Sequence, residues 1–162
     1  MTVVQTVLLV LLVPITLLNF LFLTSGRKKN REGRMRYRMI MSELHGRAVD
    51  LLGKSDAMQL YPYMSDTEES CILCVDRKRD LIAVVTMDSL LKMKISEPRE
   101  CEIVADIEND KILKSVACVV TYPPTGGSMT VHIGSRPHRL KGYLGRFLMK
   151  NARDFKSEIE DK

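Results

Sequence analysis

No G-x-S-x-G elbow, Walker A loop or H-E-x-x-H pair occurs in the 162 residues. The signatures of serine hydrolases, P-loop nucleotide binders and zinc peptidases are therefore missing. Histidine is scarce, with His45, His132 and His138 as the only copies. None has a cysteine, histidine or acid at metal-ligand spacing, so all three read as surface residues. Cysteine is sparse too. Zinc ribbons need a second close pair. Here Cys71 and Cys74 form one C-x-x-C, while Cys101 and Cys118 stand apart, each in an apolar strand pattern. A redox C-x-x-C opens a helix after a strand. This one lies inside Ser70–Val75, which reads as strand, so all four cysteines are expected as buried apolar-like residues. The expectation is no metal, no cofactor and no catalytic residue. Charge outside one short segment is also low. The seven positives and one negative of Arg27–Arg38 exceed the overall +5 by one, so the remainder carries −1. A basic surface spread over a folded domain is thus lacking, which excludes a nucleic-acid partner.

What the chain does have is an apolar run, Val3 to Leu23, without a charged side chain. At ~1.5 Å per residue it covers about 30 Å, the thickness of a bilayer core. Met1-Thr2 supplies no basic n-region and Thr24-Ser25-Gly26 is a poor cleavage site, so an uncleaved anchor is preferred to a signal peptide. Arg27, Lys28, Lys29, Arg31, Arg34, Arg36 and Arg38 follow, opposed by Glu32. Basic flanks stay cytoplasmic and contact anionic headgroups, so the sequence predicts the N-terminus outside and residues 27–162 in the cytosol. A bacterial inner membrane suits the small size.

The rest divides into two parts. Residues 27–69 hold the basic segment, an amphipathic helix and a connector. Tyr37, Ile40, Met41, Leu44, Ala48, Leu51 and Leu52 recur at helical spacing, and Gly53 supplies a stop. That stripe has three destinations: its own domain, the membrane, or another copy. A homo-oligomer through the anchor or residues 37–52 is one consequence. Residues 70–162 read as strands. Cys71–Val75, Leu81–Val85, Leu91–Ile95, Cys101–Ala105, Ile112–Tyr122 and Met129–Ile133 give six, and Gln59–Met64 a doubtful seventh. A final helix is predicted to open at Pro137. Leu140, Tyr143, Leu144, Phe147, Leu148, Phe155 and Ile159 would form its buried stripe.

Two basic groups stand out as candidate anion or partner sites. Arg77, Lys78 and Arg79 occupy the turn after Cys71–Val75, flanked by Asp76 and Asp80. Arg136, His138, Arg139 and Lys141 gather at the expected start of the last helix, whose positive end favours anions. Glu97, Glu100 and Glu102 offer carboxylates, read more simply as solvent-facing strand charges.

The hairpin Cys71–Val85, the late hairpin Val116–Ile133 and the helix Leu140–Ile159 together resemble the bacterial pleckstrin-homology-like (PH-like) domains. That resemblance implies an α+β fold: an antiparallel six- or seven-stranded barrel or sandwich capped by the helix, behind a transmembrane anchor over residues 1–26. Lipid-binding members place basic residues where Arg77, Lys78 and Arg79 stand; others are protein-binding platforms. The resulting expectation is a non-enzymatic, single-pass membrane protein whose cytosolic domain binds a protein partner or scaffolds a membrane complex. The alternatives are an anionic-lipid sensor and a thiol- or metal-dependent protein using Cys71 and Cys74.

Overall fold

A computed structural model describes residues 3–67 and 69–161, with the side chains of residues 3–11 and 17–30 outside the described set. The chain divides into two units, Met1–Met39 and Ile40–Lys162. The first helix, α1 (Val3–Leu52), runs from one into the other.

Among the described residues, no helix is long and apolar enough to cross a membrane. This overturns the transmembrane anchor over residues 1–26, the single-pass topology and the inner-membrane location. Of the apolar run, the five residues Leu12–Thr16, with Pro14 among them, have described side chains, and all five are exposed. From Arg31 onward α1 is rich in exposed charge. The rest of the apolar run, and Arg27, Lys28 and Lys29, have side chains outside the described residues.

Among the described residues of Ile40–Lys162 the eight strands are β1 (Gln59–Tyr63), β2 (Cys71–Asp76), β3 (Leu81–Val85), β4 (Leu90–Met93), β5 (Glu100–Glu108), β6 (Ile112–Tyr122), β7 (Gly127–Gly134) and β8 (His138–Arg139). They form two four-stranded antiparallel sheets. Sheet 1 has the order β1-β2-β3-β4; sheet 2 has β5-β6-β7, with β8 also on β6. The expected six- or seven-stranded barrel or sandwich is corrected in its strand number and in its barrel form: among the described residues the strands are eight, in two separate sheets. The added strand is β8. β7 leaves β6 at Val116, and His138 and Arg139 then pair with Leu113 and Ile112. Leu140 N–H continues the pairing to the Lys111 carbonyl at 2.8 Å. Backbone groups on β6 that would otherwise stay unpaired thus outweigh the preference of Pro137 for a helix start.

Turn chemistry matches the hairpins. Asn109 and Asp110 both take positive φ, 51° and 55°, as a two-residue turn between right-twisted strands requires. Gly53, at φ 76°, ends α1, and its N–H bonds the Val49 carbonyl at 2.8 Å.

The stripe on the C-terminal end of α1 packs on its own domain. Leu44 and Ala48 are buried against Ile72, Cys74, Ala83 and Val85, with Ile40, Met41 and Leu52 at the margin. Sheet 1 is therefore covered on both faces, because Cys71, Leu73, Val75, Ile82 and Val84 face the main core. This explains why β2 and β3 read as continuous apolar runs and not as alternation. The second helix, α2 (Tyr143–Glu160), closes that core with Leu148, Ala152, Phe155 and Ile159.

Candidate functional site

The two basic groups meet different fates. The β2–β3 turn is a clamp on α1. Arg79 donates from Nη1 to the Leu52 carbonyl at 3.0 Å and from Nη2 to the Lys54 carbonyl at 2.6 Å. Lys92 Nζ reaches the Leu51 carbonyl at 3.1 Å. These cations occupy the carbonyl end of the helix, where unpaired acceptors and the dipole both favour positive charge. Asp76 shapes the turn from a side chain only 1% exposed. Its Oδ1 accepts the Lys78 and Arg79 amides at 3.1 and 3.2 Å. The Ser55 hydroxyl first, and those amides after it, hold its carboxyl below the usual carboxylate range. Arg77 pairs with Asp161 at 3.3 Å, and Lys78 is exposed. The fork of Arg79 is thus committed inside the fold.

The Arg136–Lys141 group is divided by β8. His138 sits on a strand, not on a helix start. Its Nε2 lies 2.9 Å from Asp66 Oδ2. Asp66 also accepts the Ser135 N–H at 2.8 Å on Oδ1 and the Arg136 N–H at 3.0 Å on Oδ2. Its side chain is 9% exposed. Burial pushes the Asp66 carboxyl up, but the Ser135, His138 and Arg136 hydrogen bonds together hold it below its ordinary value. One carboxylate thereby fixes the break between β7 and β8. Sequence reasoning left Asp66 in an undifferentiated connector, and no local signal marks its partners, which lie about seventy residues away.

α2 then begins at Tyr143, after Gly142. Its first turns approach β8 closely: a Cβ added to Gly145 would stand 2.3 Å from the Arg139 carbonyl oxygen. The predicted buried stripe is corrected here. Leu148, Phe155 and Ile159 are buried, but Tyr143 is 78%, Leu144 50% and Phe147 40% exposed. The Tyr143 and Phe147 rings stack nearly parallel, 6.4 Å between centroids. Gly145 in the first turn is buried together with Leu148, Ala152, Phe155 and Ile159, so the buried face runs the length of α2; at ~100° per residue Tyr143 and Phe147 fall on the other side of the helix and Leu144 at the edge of the buried face. Arg136, Arg139, Lys141 and Arg146 are exposed in the segment that leads into and opens α2. A cleft of about 860 Å³ adjoins it, lined by Asn109–Ile112 on one side and Arg139, Lys141 and Gly142 on the other.

Cys101 and Cys118 are neighbours in the main core, but Cys71 and Cys74 do not converge. Cys71 faces the main core and Cys74 the opposite face of sheet 1, so the C-x-x-C is split across a strand. Burial pushes the Cys71 thiol up to about 12 and the Cys74 thiol up to about 11. Glu97 pairs with Lys94 at 2.8 Å and accepts the Tyr122 hydroxyl, while Glu100 and Glu102 are exposed on β5. His45 and His132 are exposed.

No family model, no curated protein and no solved structure matches the chain. Nothing in these comparisons identifies a PH-like domain or a membrane anchor.

Proposed function

We propose that residues 40–162 form a non-enzymatic protein-binding module whose contact surface is the N-terminal half of α2. One observation supports this reading above the others. Three large apolar side chains, Tyr143, Leu144 and Phe147, stay exposed in adjacent turns of a helix whose other face is fully buried. Single exposed apolar residues are ordinary, whereas a contiguous group with stacked aromatic rings inside a polar rim is the anatomy of a contact surface. Aromatic and Arg side chains are also the residues that dominate binding energy at such surfaces.

The test is site-specific photo-cross-linking of the full chain in its native cells. A photoreactive residue at Leu144 should give a discrete adduct. The same residue at Lys114, which is exposed on β6, should give none. Equal labelling at both positions, or none at Leu144, would remove the assignment.

A further inference from the structure

Resting on the protein-binding role of α2, we infer that the partner presents a short acidic segment carrying apolar anchors. Charge separation along the chain is the first support. No Asp or Glu occurs between Asp110 and Asp154. Four lysines of the domain are matched. Lys94 pairs with Glu97 at 2.8 Å, Lys114 with Glu108 at 3.4 Å, Lys150 with Asp154 at 2.8 Å and Lys156 with Glu160 at 3.4 Å. Among the described residues, Arg136, Arg139, Lys141 and Arg146 make no ion pair. Arg139, Lys141 and Arg146 lie within four residues of the exposed Tyr143, Leu144 or Phe147 along the chain, and Arg139 and Lys141 line the cleft beside Gly142.

The local electrostatics point the same way. α2 has no acid in its first turn and no side-chain cap at Gly142. Cations crowd the end of a helix that favours anions. A negatively charged segment laid on this patch would satisfy both the unmatched cations and the dipole. Shape adds a third support. The cleft beside Gly142 exposes Ile112, 37% accessible, and so offers a seat for an apolar anchor. Asp110 is the one carboxylate on its rim. Size decides between a segment and a folded face. The exposed parts of the three side chains amount to roughly 350 Å². A standard interface buries about 800 Å² on each partner. The patch therefore suits a short segment, with the Arg and Lys fork around it setting charge preference and approach rate.

The test titrates the full chain with a labelled peptide bearing Leu and Phe at helical spacing among Asp and Glu residues. Two counterparts replace the acids by Lys or by Ser. The acidic peptide should bind, and more weakly as salt rises. The Lys counterpart should not bind. Arg139→Glu combined with Lys141→Glu should weaken binding at least about tenfold, as should Tyr143→Ala, and Lys114→Glu should leave it unchanged. Near-UV circular dichroism checks that each variant is folded. Equal binding of all three peptides overturns the acidic-segment inference and leaves the contact surface standing. So does failure of the acidic peptide when the Leu144 adduct still forms. Failure of every peptide together with loss of that adduct overturns both. Two further outcomes would also overturn the acidic segment. Binding confined to phosphatidylserine vesicles would make the occupant a lipid surface. Self-association abolished by Tyr143→Ala would make it a second copy.

Discussion

Truncating Phe155 and Phe147 in parallel separates the two faces of α2. Phe155 is completely buried, and its ring meets that of Tyr63 edge-on, 5.1 Å between centroids at 87°. Removing a buried Phe leaves a cavity and typically costs ~3–5 kcal/mol. Part of that is the aromatic pair, worth about 0.5–1.5 kcal/mol beyond burial. Against a total stability of ~5–15 kcal/mol, Phe155→Ala should bring the domain near its unfolding limit. Phe147 is 40% exposed. Full burial of a Phe is worth roughly 1.5–3 kcal/mol, so its truncation forfeits only about 1–2. The better helix propensity of Ala returns about half a kcal/mol. The net cost should be about 0.5–1.5 kcal/mol. The chain has no Trp, so tyrosine near-UV circular dichroism in urea is the suitable probe. Tyr63 and Tyr122 report directly, since both are buried in the main core. The Phe155→Ala midpoint should fall well below the Phe147→Ala midpoint at unchanged slope. Equal losses would mean that Phe147 is covered, which would refute the orientation of α2 and the exposed patch with it.

Three further outcomes follow from other parts of the domain. Gly145→Ala places a methyl against the Arg139 carbonyl and should destabilise by about 1–3 kcal/mol in the same urea series; a neutral result would contradict the close approach of α2 to β8. Arg79→Met removes two charged donors from the α1 carbonyl end, and because the side chain is 43% exposed the loss should be about 1 kcal/mol, against under about 0.5 for Lys78→Ala. Asp66 has a carboxyl lowered by folding, so its contribution is complete above its ordinary value of 3.8 and disappears as pH falls through the lower folded value. Asp66→Asn should abolish that part of the acid sensitivity and speed amide exchange at Ser135 and Arg136 at neutral pH. Identical acid titrations of variant and wild type would show that the carboxylate does not hold the β7–β8 break.

Legibility followed the range of the forces involved. The β6–β7 hairpin was readable because alternation and the Pro123–Gly126 turn act within a few residues. The end of α1 at Gly53 was readable for the same reason, since a left-handed glycine is a local stop. β8 was not. Its pairing depends on backbone groups of β6 more than twenty residues earlier, and Pro137 alone suggests a helix. The basic turn Arg77–Arg79 was visible as charge, but not that its Arg79 is spent on the carbonyls of α1. The Arg136–Lys141 group was visible too, whereas its division by Asp66 was hidden in a contact between distant loops.

The strand-rich second half, the apolar-like cysteines and the charge separation between Asp110 and Asp154 follow from composition and short-range periodicity, which survive any arrangement of the elements. Tertiary structure alone decided which side chains of α2 are core and which are surface. The apolar positions of α2 are too many for one face; which of them turn toward the sheet is set by how the helix docks. Here the strands cover Leu148 through Ile159 and leave Tyr143, Leu144 and Phe147 uncovered. The close approach of Gly145 to β8 sets how α2 is rotated against the sheet, and that rotation turns Tyr143 and Phe147 to the surface.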